Sequence, residues 1–300
     1  MKTSRKITWT AALLLVALFS GSVVSRRHAE QLRGAQSTLE DVLYLPSGKA
    51  VKRLSLGYSS LLADLYWTRA VQYFGEKRIH QSTRYDLLYP LLDIATDLDP
   101  QLMVAYETGS IFLSQKQPNG AGQPDKAVVL VEKGIRANPT YWRLYFTLGF
   151  IHYIDRRDYK AAQQAFEKGS EVPGALPWMK VMAARMAEKG DDPATAMYLW
   201  KTIYDTTHDE TVRKNASQHL LSLRADLEMD ELERLTHIYS ERFGAPPEQW
   251  SDLIRAGLLR GVPTDPRGNP YQLRLDGTVR VENPKLFPFL ERHAPVGTLY

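Results

Sequence analysis

The residues of this chain with the most obvious chemical potential are its histidines, which could bind a metal or act as general bases. They stand at seven positions: His28, His80, His152, His208, His219, His237 and His293. No two of them have the H-x-x-x-H spacing that places two imidazoles on one face of a helix. His152 falls on the inward face of a predicted helix, which favours a packed histidine over a metal ligand. We therefore predict no histidine-based metal or catalytic site.

Paired carboxylates could serve as general acid and base. The clearest pairs are Asp97 with Asp99 and Asp191 with Asp192. Both pairs lie at predicted turns, where an aspartate caps the free N–H groups of a helix. The sequence also lacks the P-loop, the G-x-G-x-x-G loop and the G-x-S-x-G elbow. We therefore predict that the protein has no cofactor and is not an enzyme.

Cysteine is absent from the chain, which excludes disulfides, thiolate nucleophiles and cysteine-ligated zinc. The 38 basic residues nearly balance the 34 acidic ones, and the net charge is +4. Several basic residues lie close to the N-terminus, and no long Lys/Arg stripe with interleaved aromatics follows. The positive balance is thus partly a feature of the N-terminal segment, and we predict no nucleic-acid binding.

An uncharged, largely apolar segment covers residues 7–25, and basic residues precede it. A helix of this length spans roughly 28 Å, close to the hydrocarbon thickness of a bilayer. The pattern predicts a signal anchor over residues 1–27; a cleaved signal peptide is the alternative, because small residues follow a short apolar core. We expect one pass through a bacterial inner membrane with the C-terminal domain in the periplasm, although Arg26 and Arg27 oppose this orientation.

Residues 145–166 match residues 179–200 at an offset of 34 positions. The matched pairs include Tyr145/Met179, Leu148/Met182, Gly149/Ala183, His152/Met186, Asp158/Asp192, Ala162/Ala196 and Phe166/Trp200. Small and large residues at fixed offsets in a repeat of this length are typical of helix–turn–helix solenoids. Such folds present extended binding surfaces.

Apolar residues recur at the helical period from about residue 58 and predict five helix pairs. The first three pairs end at Pro100, Pro139 and Pro173. The fourth covers about 176–206, and a fifth, less regular pair covers about 209–243. In the first helix we expect one apolar face, made by Leu61, Leu62, Leu65, Tyr66, Ala70, Val71 and Phe74.

The stretch Leu54–Gly75 is denser in apolar and aromatic residues than one solenoid helix needs. It could pack on residues 28–56, which we expect to be helical and then extended or irregular. Alternatively, it could form an interface near the membrane.

Two local patterns point to a known family. Trp67-x-x-Ala70-Val71-x-x-Phe74 is similar to a first-helix signature of tetratricopeptide repeats. Tyr159-x-x-Ala162-x-x-x-Phe166-x-x-Gly169 is similar to the second-helix signature. The chain therefore resembles a membrane-anchored bacterial tetratricopeptide repeat protein over residues 60–206, and more weakly over 207–243. The resemblance implies an all-α solenoid; an irregular bundle of helix pairs is the alternative.

The last 55 or so residues change in character. A short helix around Trp250 precedes a Pro-rich loop, and an Asp276-Gly277 pair between alternating residues predicts a hairpin with a two-residue turn. Asp265, Asn269 and Asp276 could bind calcium, but turn chemistry explains the same residues and is favoured. We expect a small α+β cap that closes the solenoid.

In the tetratricopeptide family the first helix of each pair lines a concave groove. If this carries over, the groove is lined by Met103, Tyr106, Arg143, Phe146, Phe150, Tyr153 and Lys180. Aromatic side chains beside arginine are typical of sites that bind a peptide or a partner helix. The alternative is that some of the aromatics belong to the core between repeats.

Together these patterns predict four regions: a signal anchor (1–27), a linker (28–57), a solenoid (58–244) and a cap with a β-hairpin (245–300). The predicted function is a membrane-tethered scaffold that binds one or more proteins in a cell-envelope assembly, such as a secretion, pilus or envelope-biogenesis machine. The alternatives are a glycan- or lipid-binding module and a non-catalytic subunit of an envelope enzyme.

Overall fold

A computed structural model describes residues 47–293, and within this range the chain is mostly helical, as predicted. Its α-helices are α1 (Gly48–Leu54), α2 (Ser59–Ile79), α3 (Leu88–Leu98), α4 (Met103–Ser114), α5 (Pro124–Ala137), α6 (Trp142–Phe150), α7 (Tyr159–Ser170), α8 (Trp178–Lys189), α9 (Pro193–Thr206), α10 (Glu210–Phe243) and α11 (Trp250–Arg255). A π-helical segment, Ile151–Arg156, continues α6, and Pro284–Leu286 is a 3₁₀ turn.

The candidate membrane span at residues 7–25 and the predicted helical linker before residue 46 lie outside the described residues. Among residues 47–293 no helix is both long and apolar enough to cross a bilayer.

The chain packs as two compact units. Within the described range, the N-terminal unit comprises residues 47–105 and 117–121, and the C-terminal unit comprises 106–116 and 122–293.

In the N-terminal unit, α2 packs against α3 through Ala63, Ile94 and Leu98. The expected apolar face of α2 is partly wrong, because Leu61 and Leu65 are more than half exposed. Ala70 and Phe74 of that face are buried as predicted, and Ala63, which the prediction did not include, is buried as well. The apolar run thus covers more of the helix surface than one neighbouring helix can bury.

The stretch before α2 is not extended as predicted. Residues Gly48–Leu54 form α1, whose Ser47 cap accepts the Ala50 N–H at 3.3 Å. Serine is a favourable N-cap residue and therefore signals the start of a helix. The prediction of an extended stretch did not take this signal into account.

Within the C-terminal unit, the third and fourth helix pairs correspond residue by residue. Asp158 and Asp192 cap α7 and α9 by accepting the N–H three residues later, each at 3.0 Å. Four residues further along each helix, Ala162 and Ala196 are completely buried. The matched large side chains Phe166 and Trp200 fill the core behind them.

Small residues set the distance between helices in this unit. A Cβ placed on Gly149 of α6 would lie 2.6 Å from the ring of Phe166. Similarly, a Cβ on Gly134 of α5 would lie 2.8 Å from the ring of Tyr106. Each glycine therefore lets an aromatic ring lie directly against a helix backbone.

The predicted fifth helix pair is wrong, because residues 210–243 form the single helix α10. Asp209 caps its start, and Gly244, with φ +78°, ends it. The segment contains neither glycine nor proline, so nothing in its backbone breaks the helix. Four helix pairs therefore precede one long helix.

The predicted cap hairpin is present: β1 (Gln272–Leu273) pairs antiparallel with β2 (Val279–Arg280). Its turn differs from the two-residue turn expected, because Arg274 N–H donates to the Thr278 carbonyl at 2.9 Å and leaves three residues in the loop. Gly277 has φ +82° and supplies the left-handed residue that this loop type requires.

Candidate partner-binding surface

An aromatic ladder runs along α6 and its π-helical continuation. It comprises the half-buried side chains of Trp142, Phe146, Phe150 and Tyr153. Successive ring centroids lie 6.1, 4.7 and 6.4 Å apart. Spacings of four, four and three residues place these rings on one face of the helix. We call this set, together with Trp178, the aromatic face.

Trp178, at the start of α8, joins the face from the next helix pair. Its ring meets Phe146 edge-on at 5.3 Å and Phe150 at 6.4 Å. It is 38% exposed. The sequence analysis does not include Trp178 among the groove residues. The 34-residue repeat aligns it with Leu144, which is completely buried. A tryptophan directly after Pro177 at a helix start was the available signal.

The two cations predicted for the groove are both exposed. The Arg143 guanidinium lies 5.5 Å from the centre of the Trp142 ring. Lys180 lines a cavity of about 680 Å³ beside Trp178, whose apolar wall includes Val181 and Ile203. Aromatic rings, a cavity of ligand size and positive charge thus adjoin one another around Trp178.

Phe150 is not a purely surface residue. Its ring also meets buried Phe166 edge-on at 5.3 Å, so it belongs partly to the core, as the alternative reading allowed. Phe146 and Tyr153 are likewise half-buried and pack against the same core cluster. The most exposed aromatic of the face is therefore Trp178 rather than the predicted phenylalanines.

Two predicted groove residues do not belong to this face. Tyr106 is completely buried, so its prediction as a groove residue is wrong. The physical reason is Gly134, which makes room for the ring between α4 and α5. Met103 lies in the N-terminal unit and is half-buried.

The π-helical segment contains His152, which is only 9% exposed, so the packed histidine is confirmed. Its Nδ1 is buried and has no hydrogen-bond partner. Burial, reinforced by nearby Arg156, lowers the pKa of this histidine, and the ring is neutral near pH 7. The neutral tautomer with its proton on Nε2 avoids a buried N–H donor without an acceptor.

A glutamate–histidine pair in the same unit has the composition of an acid–base site. The Glu188 carboxylate accepts hydrogen bonds from Trp200 Nε1 and His219 Nδ1, both at 2.8 Å. The His219 ring is stacked between Trp200, at 4.0 Å, and Phe289, at 3.6 Å. Burial lowers the pKa of His219 although its hydrogen bond to Glu188 raises it. The rings on both faces keep substrate away, so the pair is structural.

The segment Phe287–His293, here called the strap, runs across α8 and α10. Asp226 accepts the backbone N–H of Glu291 at 2.8 Å and pairs with His293 Nδ1 at 3.0 Å. Arg292 forms ion pairs with Asp191 and Asp230. Burial opposes the charged form of His293, but Asp226 and Glu233 raise its pKa overall. The strap is thus held by these charged contacts and by its buried Phe287 and Leu290.

The carboxylates considered for calcium serve turns instead. Asp265 is buried and accepts the N–H groups of Arg267 and Asn269 at 2.8 and 3.0 Å. Asp276 accepts the N–H of Thr278 at 3.0 Å. Among residues 47–293, no three His, Asp or Glu side chains are grouped to hold a metal ion.

Comparison with known proteins gives no relative: no family model, curated protein or solved structure matches the chain.

Proposed function

We propose that the protein is a helical-repeat scaffold that binds a segment of another protein on its aromatic face. The observation that carries this proposal is the exposed Trp178, which lies edge-on to Phe146 and borders the cavity beside Lys180. Tryptophan and arginine are the residue types that contribute most to binding at protein interfaces, particularly where they border a pocket.

Tetratricopeptide character is part of the proposal. Its support is the residue-by-residue correspondence of the third and fourth helix pairs, including both aspartate caps and both buried alanines. Consecutive packing of α7, α8, α9 and α10 is compatible with a solenoid.

We further propose that residues 7–25 tether the scaffold to a bacterial inner membrane, with the repeats in the periplasm. A tether would raise the local concentration of partners in an envelope assembly. The expected occupant is a peptide or helix with an apolar anchor and an acidic residue, because Arg143 and Lys180 flank the aromatic face.

The test is site-specific photocrosslinking of the full-length protein in native membranes. A photoreactive amino acid replaces Trp178 or Arg143, and the matched control replaces Tyr198, which is 67% exposed on α9. We expect one discrete protein adduct from positions 178 and 143 and none from position 198. Mass spectrometry then identifies the partner.

A second variant tests the contact without a crosslinker at the site. Trp178→Ala should lower partner recovery at least about tenfold, as for loss of a central interface tryptophan, and leave the circular dichroism spectrum unchanged. Equal adducts from all three positions, or undiminished recovery by Trp178→Ala, would exclude the aromatic face. Retention on a glycan array without any protein adduct would favour the glycan-binding alternative.

A further inference from the structure

The start of the N-terminal unit carries an exposed apolar patch. It consists of five large side chains that are between 57% and 88% exposed: Leu54, Leu56, Tyr58, Leu61 and Leu65. Leu61 and Leu65 are one helical turn apart on α2, and Tyr58 precedes them by three residues, so these three share a face. Isolated exposed leucines are common, but five such side chains within twelve residues mark an interaction surface.

The backbone at Leu56 holds its side chain outward. Tyr58 N–H donates to the Ser55 carbonyl at 2.8 Å and closes a turn. Both central residues of that turn have positive φ, +48° at Leu56 and +94° at Gly57. A leucine rarely adopts this conformation, and here it gains no burial from it. The most exposed side chain of the patch is therefore held in place by a backbone conformation unusual for its type.

The segment that carries the apolar patch has a net positive charge. Residues 47–69 contain four basic side chains, Lys49, Lys52, Arg53 and Arg69, and one acidic side chain, Asp64, so the net charge is 4 − 1 = +3. All five are exposed, although Lys52 Nζ also donates to the Asp97 carbonyl at 3.1 Å. Exposed leucine and tyrosine beside lysine and arginine is the composition of surfaces that lie in the headgroup region of an anionic bilayer.

We propose that this patch contacts the anionic headgroup and upper acyl region of the membrane to which the protein is tethered. The inference rests on the membrane tether of the proposed function. Only 21 residues, 26–46, separate the apolar segment 7–25 from the first described helix cap, Ser47, so the patch lies within reach of the same bilayer. Contact there would orient the N-terminal unit relative to the membrane, which a tether alone does not do.

The test uses the absence of cysteine from the natural chain. Single-cysteine variants Leu56→Cys and Leu61→Cys are labelled with a fluorophore, and Leu275→Cys, at a position that is 80% exposed in the cap, is the matched control. Each full-length variant is reconstituted into phosphatidylcholine vesicles with and without phosphatidylglycerol. Lipids that carry a nitroxide quencher report contact with the bilayer, and iodide reports contact with water.

We expect at least about twofold stronger lipid quenching at positions 56 and 61 than at 275, since such side chains would lie about 5–10 Å into the headgroup–acyl boundary. Phosphatidylglycerol should strengthen this quenching, and the double substitution Lys49→Gln/Arg53→Gln should abolish that increase. Iodide quenching at the patch equal to that at position 275 would overturn the proposal. Protection from both quenchers would also overturn it, because another part of the chain or a second copy would then cover the patch.

An alkaline carbonate wash separates this inference from the tether. Protein that stays with the vesicles but shows no lipid quenching at positions 56 and 61 would retain the tether and refute the patch. Protein that shows quenching before the wash and is released by it would support the patch and refute the tether. Protein that never binds vesicles would refute both.

Discussion

The third and fourth helix pairs, 34 residues apart, agree on their inward positions and differ along the aromatic face. Their caps, small residues and buried rings correspond, and a left-handed residue follows each first helix, Arg157 in the third pair and Asp191 in the fourth, with φ +56° in each. Where the third pair has the ladder residues, the fourth has Leu176, Lys180, Ala184 and Ala187. The shared positions are those that any helix pair needs in order to pack, so the differing ones are where binding specificity can reside.

Two further differences separate these helix pairs. The third contains the π-helical segment Ile151–Arg156, a feature that is frequent at functional sites, whereas α8 of the fourth is α-helical throughout. The fourth is covered by the strap, whose Phe289 stacks on His219. The proposed binding surface therefore comprises the ladder of the third pair and the adjoining part of the fourth, Trp178 and the cavity beside Lys180.

The largest expected effect is the loss of a buried ring. Phe166→Ala and Trp200→Ala should each lower the free energy of unfolding by about 3–5 kcal/mol, because both side chains are completely buried. Urea denaturation of the full-length protein in detergent measures this. A loss below about 1 kcal/mol in either variant would mean that the two positions are not equivalent.

A glycine substitution sharpens the comparison at the helix crossing. Gly149→Ala should destabilise by about 1–3 kcal/mol, because the new methyl group would meet the Phe166 ring. The reciprocal change, Ala183→Gly, should cost about 1 kcal/mol through lost helix propensity. If Gly149→Ala stabilised the protein, the Phe166 ring would not lie as close to the backbone of α6 as the structure shows.

The two caps should behave alike. Asp158→Ala and Asp192→Ala each remove one hydrogen bond to a helix N-terminus, and each should cost about 1 kcal/mol. Asp158→Asn and Asp192→Asn are the matched controls, because asparagine also caps helices. Denaturation midpoints that differ widely between the two alanine variants would show that the two caps do not contribute equally to stability.

The smallest expected effect concerns the strap, which only the fourth pair carries. Since the folded-state pKa of His293 is raised, its contribution to stability is complete below its unfolded pKa, about 6.5, and is lost as the pH rises through the folded value. The stability difference between the natural protein and His293→Gln should therefore shrink with rising pH. A difference that is constant with pH would show that charge on His293 does not hold the strap.

The sequence predicted the features that the third and fourth helix pairs share, and few of the features that only one part of the chain has. The cap at Asp192, the buried rings and the packed His152 follow from the sequence, because each of these positions has a counterpart 34 residues away. Tyr106 was misplaced because its burial depends on Gly134, which is distant in sequence. Trp178 was missed because its exposure contradicts the register of the repeat. Helix α10 was divided in two because apolar periodicity alone does not locate a turn.

Helix α10 also determines how the C-terminal unit comes apart. Its first half contributes Ala216 and Leu223 to the core of the fourth helix pair, and its second half contributes Met229 and Leu232 to the core of the cap. A continuous helix of about 50 Å that belongs to both cores couples their melting. The cap is therefore not a separable module: heat or force that strips it away must also loosen the repeats, and the two should be lost in one cooperative step.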